Sequence, residues 1–259
     1  MQQRLLTLNG VQNFRDYGGY ATVGGGRLNA GKLYRSAHHG RASDADLEAI
    51  GALGIAVVVD LRRTVERTRD PSRRHASFAG RVIDNDIGDS TDDPWHLFLK
   101  GSDLSEAAFR DHALGYYRVA PFEPRHIDLY SRYFLALRSG EGPVLVHCAA
   151  GKDRTGILAA LTHHLMGVHR DDLVADYLLT NQALDFDRLI PAMAETMFKQ
   201  TGRRPTPEAV RVAMSVEPAY LENAFSAIEA EHGSLDAYLA GPLGIDGAAR
   251  RELEAQLLA

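Results

Sequence analysis

Ile55-Ala56-Val57-Val58-Val59-Asp60-Leu61 is the stretch that most limits the fold. An aliphatic, β-branched run without polar alternation marks a strand covered on both faces, and such strands belong to parallel sheets clothed by helices. Pro143-Val144-Leu145-Val146 is a second run of this kind, and Arg81–Ile87 is a third strand candidate with alternating polarity. Ser43-Asp44-Ala45-Asp46 has N-cap chemistry, with Leu47, Ile50 and Leu53 at helical spacing as far as Gly54. Strands alternating with helices predict an α/β fold with a mostly parallel central sheet flanked by helices.

The remaining segments fill in this plan. Tyr20-Ala21-Thr22 and Lys32-Leu33-Tyr34-Arg35 flank Gly24-Gly25-Gly26 and suggest a hairpin. Residues 88–103 read as loop, and helices are predicted from Ser105 to Tyr117 and from Arg125 to Arg138. Beyond residue 154 the chain reads as helical to its end, near 154–166, 171–183, 185–200, 206–214, 218–232 and 247–258, with Gly167 and Gly233 at C-cap positions. No repeat, low-complexity tract or linker divides it, so the expectation is one domain over residues 1–259.

Composition narrows the function classes. A net charge of −5 gives no reason to expect nucleic acid as a partner. No stretch approaches the roughly 20 apolar residues of a membrane span, and the N-terminus has no signal-peptide core, so a cytoplasmic location is the expectation. A single cysteine forms no disulfide within the chain.

That cysteine sits in "HCAAGKDRTG", residues 147–156, between the second apolar run and a helix. In an open parallel sheet, ligands bind beyond the carboxyl ends of the strands. A helix N-terminus offers unpaired N–H groups and partial positive charge, and a tight turn whose N–H groups converge forms a nest for an anion. Ala149 and Ala150 keep the loop small, and Gly151 allows a backbone angle or approach that other residues resist. Cys148 lies at the floor of this cradle. A free thiol has a pKa of about 8.5, and electropositive surroundings lower it to roughly 3.5–7.5, so the helix end, Lys152 and Arg154 favour a thiolate. Arg154 offers a planar fork for two phosphoryl oxygens, and Thr155 a hydroxyl for the sulfur. His147 reads as an orienting residue. The chemistry that fits is phosphoryl transfer in two steps through a phosphocysteine, with no metal or other cofactor required.

The loop matches the H-C-x-x-G-x-x-R-T signature of the cysteine-dependent protein tyrosine and dual-specificity phosphatases. More narrowly, the chain resembles the bacterial tyrosine phosphatases whose loop carries Lys-Asp before the arginine, including phosphatases secreted by intracellular pathogens. "NFRDYGGY" (13–20), "LYRS" (33–36), "VVDLRR" (58–63), "ADYLLTN" (175–181) and "YLENAFSAIEAEHGSLDAYL" (220–239) fit the same group, so the resemblance spans nearly the whole chain. It implies a phosphatase fold acting on phosphotyrosine, with phosphoserine, phosphothreonine or phosphoinositides as further substrates of some members. Some members also carry a long helical lid between the second strand region and the loop strand. Here residues 90–135, with Phe109, Tyr116, Tyr117, Phe122, Tyr130, Tyr133 and Phe134, stand in that place; the same aromatics also suit a core.

Three carboxylates compete as general acid. Asp153 lies inside the loop, as in phosphoinositide-directed relatives, and is the choice. Asp60 closes its strand at the same sheet edge, but a salt bridge with Arg62 or Arg63 is the commoner use. Asp93, before Pro94, reads as a turn residue. Lys152 is either a solvated loop lysine or a contact to a second phosphate. Arg15, Asp16 and Arg35 read as an ion-paired network holding the hairpin to the sheet. Two rivals remain. A phosphate-binding module without turnover would usually lack the cysteine or the arginine, and a sulfur-transfer enzyme has no need of Arg154 followed by Thr155. A nucleotide P-loop is excluded, because Val146 and Asp153 stand where it needs glycine and Ser or Thr.

Overall fold

The computed structural model describes residues 4–89 and 93–259. Five strands, β1 (Arg15–Asp16), β2 (Leu33–Ser36), β3 (Val57–Asp60), β4 (Arg81–Ile83) and β5 (Val144–His147), form one sheet in the order β1-β2-β5-β3-β4. All pairs are parallel except β1 with β2. This is the mostly parallel α/β sheet that the apolar runs predict, with β5 and β3 at its centre.

Side-chain alternation divides the core between the two faces. Leu33, Val57, Val59, Val144 and Val146 pack into the larger core with Tyr130, Tyr133, Phe134 and the helix Asp153–Leu165. Tyr34, Val58 and Leu145 point the other way, into a smaller core with Leu47 and Ile50 of the helix Asp44–Gly51. That helix starts with the expected cap, in which Ser43 accepts from Asp46 N–H and Asp46 accepts from Ser43 N–H.

Several local expectations change. The glycine-rich turn closes on itself through an Ala21–Arg27 bridge, while Leu33–Ser36 pairs with Arg15–Asp16 instead of with residues 20–22. Residues 93–103 are not loop throughout, because Pro94–Gly101 is a helix capped by Asp93; residues 90–92 lie outside the described part. The expected 90–135 unit comprises the helices Pro94–Gly101, Glu106–Val119 and Pro124–Ser139. Its aromatics are largely interior: Tyr117, Tyr130, Tyr133 and Phe134 lie in the main core, and Phe109 lies in a third cluster with Leu99, Met197 and Val210. Among the described residues, no helix is long and apolar enough to cross a membrane.

Candidate active site

Register places three strand ends together. Ser36 and Asp60 both pair with His147, so β2, β5 and β3 finish level, and Cys148 leaves the sheet at its centre. The loop that follows turns at Gly151, with φ +65°, and joins the helix Asp153–Leu165. A Cβ on Gly151 would stand 2.3 Å from the Ser36 carbonyl oxygen, so backbone angle and space both require glycine there.

The loop's carbonyl groups are held from outside. His38 N–H donates to Ala149 O at 3.1 Å. Asn13 Nδ2 donates to Ala150 O (3.2 Å) and Gly151 O (2.8 Å), and Arg35 Nη2 donates to Gly151 O (2.9 Å). The amide N–H groups from Ala149 to Arg154 donate to no other described residue. Unpartnered amides in a short loop beside a helix N-terminus can bind an anion.

Arg154 is fixed at two points. Its guanidinium donates to both carboxylate oxygens of Glu66, and Nη1 also reaches Leu61 O at 3.1 Å. Burial works to raise the Glu66 carboxyl, but Arg154 outweighs it and holds that group at about 2. Burial likewise opposes the Arg154 charge, while Glu66 and then Cys148 overcome it and hold the guanidinium well above its ordinary value. Cys148 is 2% exposed and belongs to the main core, so the sulfur lies deep, within the electrostatic reach of Arg154 and of the Tyr116 phenol.

The other sequence candidates separate clearly. Asp153 is half-buried at the first turn of its helix, where Oδ1 accepts from Tyr117 Oη at 2.9 Å and lies 3.5 Å from Lys152 Nζ. Tyr117 in turn meets Tyr177 at 2.7 Å. Asp60 shares the sheet edge, but alternation turns it to the face of Val58, away from Cys148. There it grips the Arg62 side chain at 2.9 and 2.7 Å and the Arg62 N–H at 3.1 Å. Burial works to raise its carboxyl, and His147 followed by Arg62 holds it low instead. Asp93 caps a helix and pairs with Arg69.

Lys152 is not a solvated loop residue. It is buried, and Nζ donates to Ala213 O (2.8 Å) and Ser215 O (3.2 Å) at the end of the helix Pro207–Met214. Thr155 Oγ1 is buried without a hydrogen-bond partner, so the expected donation to the sulfur is not made. His147 lies on the smaller-core side, 3.7 Å from Asp60 and stacked on His39, with burial lowering it to about 4. Arg15 and Arg35 both pair with buried Asp176. Asp16 is not part of that ion-paired network; it accepts from Gly18 and Gly31 N–H groups instead.

Two residues central to this arrangement escaped the sequence reading. Glu66 lies in the first turn of the helix Thr64–Arg69, just after β3, and Asn13 opens a segment whose individual roles are not legible. A carboxylate placed shortly after a strand that ends level with the arginine loop was the signal available for Glu66.

The chain matches the model of the tyrosine phosphatase family over residues 6–259. It is 32% identical over 250 residues to a protein of Cupriavidus necator assigned by name to the tyrosine-protein phosphatases, covering 95% of this chain and 86% of that one. It is also 32% identical over 261 residues to the triple specificity protein phosphatase PtpB of Mycobacterium tuberculosis, covering 90% and 91% of the two chains. A loop of free amides around Cys148, an arginine locked above the strand ends, and family agreement along almost the entire length lead to one conclusion: the chain belongs to the tyrosine phosphatase family and is a protein tyrosine phosphatase.

Proposed function

We propose that the chain hydrolyses phosphotyrosine in proteins, and with lower preference other phosphomonoesters, through a phosphocysteine at Cys148. The observation that carries this is the bidentate Glu66–Arg154 pair, because it fixes the guanidinium through Nη1 and Nη2 and leaves the Nε–H and the second Nη2–H for phosphoryl oxygens.

The amides of Ala149, Ala150, Gly151 and Lys152 take the phosphoryl oxygens together with Arg154, and the Cys148 thiolate attacks phosphorus in line. As the S–P bond forms, the P–O bond to the leaving group breaks, and Asp153 gives its proton to the departing oxygen. Water then attacks phosphorus, the Asp153 carboxylate takes a proton from it, and the S–P bond breaks to release phosphate and restore the thiolate. Arg154 carries the charge on the equatorial oxygens in both steps. The Thr155 hydroxyl, without a protein partner, is available to the sulfur as it becomes a leaving group. Lys152 acts by pinning the loop to residues 213–215.

Phosphate release from an aryl phosphate tests the reading. Wild type releases phosphate, while Cys148→Ser binds the substrate without turnover. Turnover by the serine variant at the wild-type rate would refute it, and binding without turnover in both proteins would favour a phosphate-binding module.

A further inference from the structure

A cavity lies on the other face of the sheet. Between the helix Asp44–Gly51 and residues 74–80 is a cavity of about 370 Å³, bounded by Leu47, Ile50, Val58, Leu145 and Phe78. Its size is that of a small-molecule site. The main core on the opposite face has no part in it, since Val58 and Leu145 point away from the catalytic helix.

One wall is charged. The buried Nε of Arg74, which borders the cavity, has no partner among the described residues, and the guanidinium makes one hydrogen bond to them, from Nη1 to Arg73 O at 3.0 Å. Among the described residues, no carboxylate lies within ion-pair distance of it. Arginine in a partly apolar setting normally has an acceptor, because an unpaired buried donor is costly. His39 also borders the cavity, and its ring stacks on His147, with centroids 5.4 Å apart, directly before Cys148.

We propose that this cavity binds a small amphipathic carboxylate, with the carboxylate on Arg74 and an aliphatic or aryl body between Leu47, Ile50 and Leu145. An apolar chamber with one cation that Asp60 meets only beyond ion-pair distance selects that combination over a neutral apolar molecule or a free inorganic anion. The inference does not rest on the reaction proposed above, since none of these residues belongs to the loop.

Calorimetric titration of the full chain with octanoate tests it, with octanol as the neutral comparison and saturating inorganic phosphate present to occupy the catalytic loop. Octanoate binds at one site, phosphate does not displace it, and octanol binds more weakly. Arg74→Gln weakens octanoate about tenfold, the loss of one charge-assisted pair. Ala79→Trp, at an exposed lining position where folding is not at risk, blocks the cavity and abolishes binding. Histidine ring resonances of His39 shift on binding to the wild type only. Absence of saturable binding, displacement by phosphate, equal binding of octanol, or binding unchanged in both variants would each overturn the proposal.

Discussion

Arg154 donates to both oxygens of Glu66, at 2.6 and 2.7 Å, although 88 positions separate the two residues. Removing either partner leaves the other charge buried and alone, which typically costs about 3–5 kcal/mol. Glu66→Gln keeps the shape of the side chain but not its charge. The variant is therefore less stable, and its kcat on an aryl phosphate falls about 100-fold, because the fork is no longer held in position. Steady-state kinetics at a temperature where denaturation shows the variant folded checks this; an unchanged kcat would show that the pair has no positioning role.

Asp153 and Asp60 are distinguished by leaving-group dependence. Asp153→Asn slows phenyl phosphate far more than 4-nitrophenyl phosphate, since a good leaving group needs little protonation. Asp60→Asn lowers stability by loosening Arg62, but changes both substrates by the same factor. A uniform effect in the Asp153 variant would remove it from the role of acid.

Asp176 holds Arg15 and Arg35 at 3.2 and 3.0 Å, and Arg35 in turn holds Gly151 O. Asp176→Asn leaves two buried guanidinium groups with only neutral acceptors. It costs about 3–5 kcal/mol in urea unfolding. Rescue of activity to the wild-type value at low temperature, where the variant is folded, is not expected, because the Gly151 tether is loosened as well.

Stability falls in acid for an identifiable set of groups. Burial lowers His147 to about 4 and His126 to about 3, and Glu66 is held at about 2 against burial by Arg154. All three are depressed relative to the unfolded chain, so the unfolded state binds more protons as the pH drops. Their contributions are complete above about pH 6.5, the ordinary histidine value. The histidine share is lost as the pH falls toward 3, and the Glu66 share below about 4.5. Chemical denaturation at intervals between pH 7.5 and 3 gives a steady loss of unfolding free energy. A flat profile down to pH 4.5 would contradict buried neutral histidines.

Much of this was legible because some residues carry their context with them. Val57–Val59 and Val144–Val146 show two-sided burial in their composition alone, and Cys148, Gly151 and Arg154 define a cradle by spacing. Glu66 was hidden because Thr64–Arg69 is a short polar helix without apolar period, and nothing local marks which carboxylate reaches a distant arginine. Neither sequence reading of Lys152, a solvated lysine or a contact to a second phosphate, included its actual partners, because Ala213 O and Ser215 O are 61 and 63 residues away and are backbone atoms. Asp60 was legible on both counts, since the strand end and the salt bridge to Arg62 were expected from the sequence, and the alternation that carries its side chain to the opposite face separates it from Cys148.

Turnover quenched in alkaline denaturant and followed by peptide mass spectrometry tests the central claim most directly. Mixed with a phosphotyrosine peptide for milliseconds and then quenched, the enzyme carries a phosphoryl group on the peptide containing Cys148. Full turnover with no phosphoryl group ever found on that sulfur, under conditions that preserve thiophosphate bonds, would contradict the account.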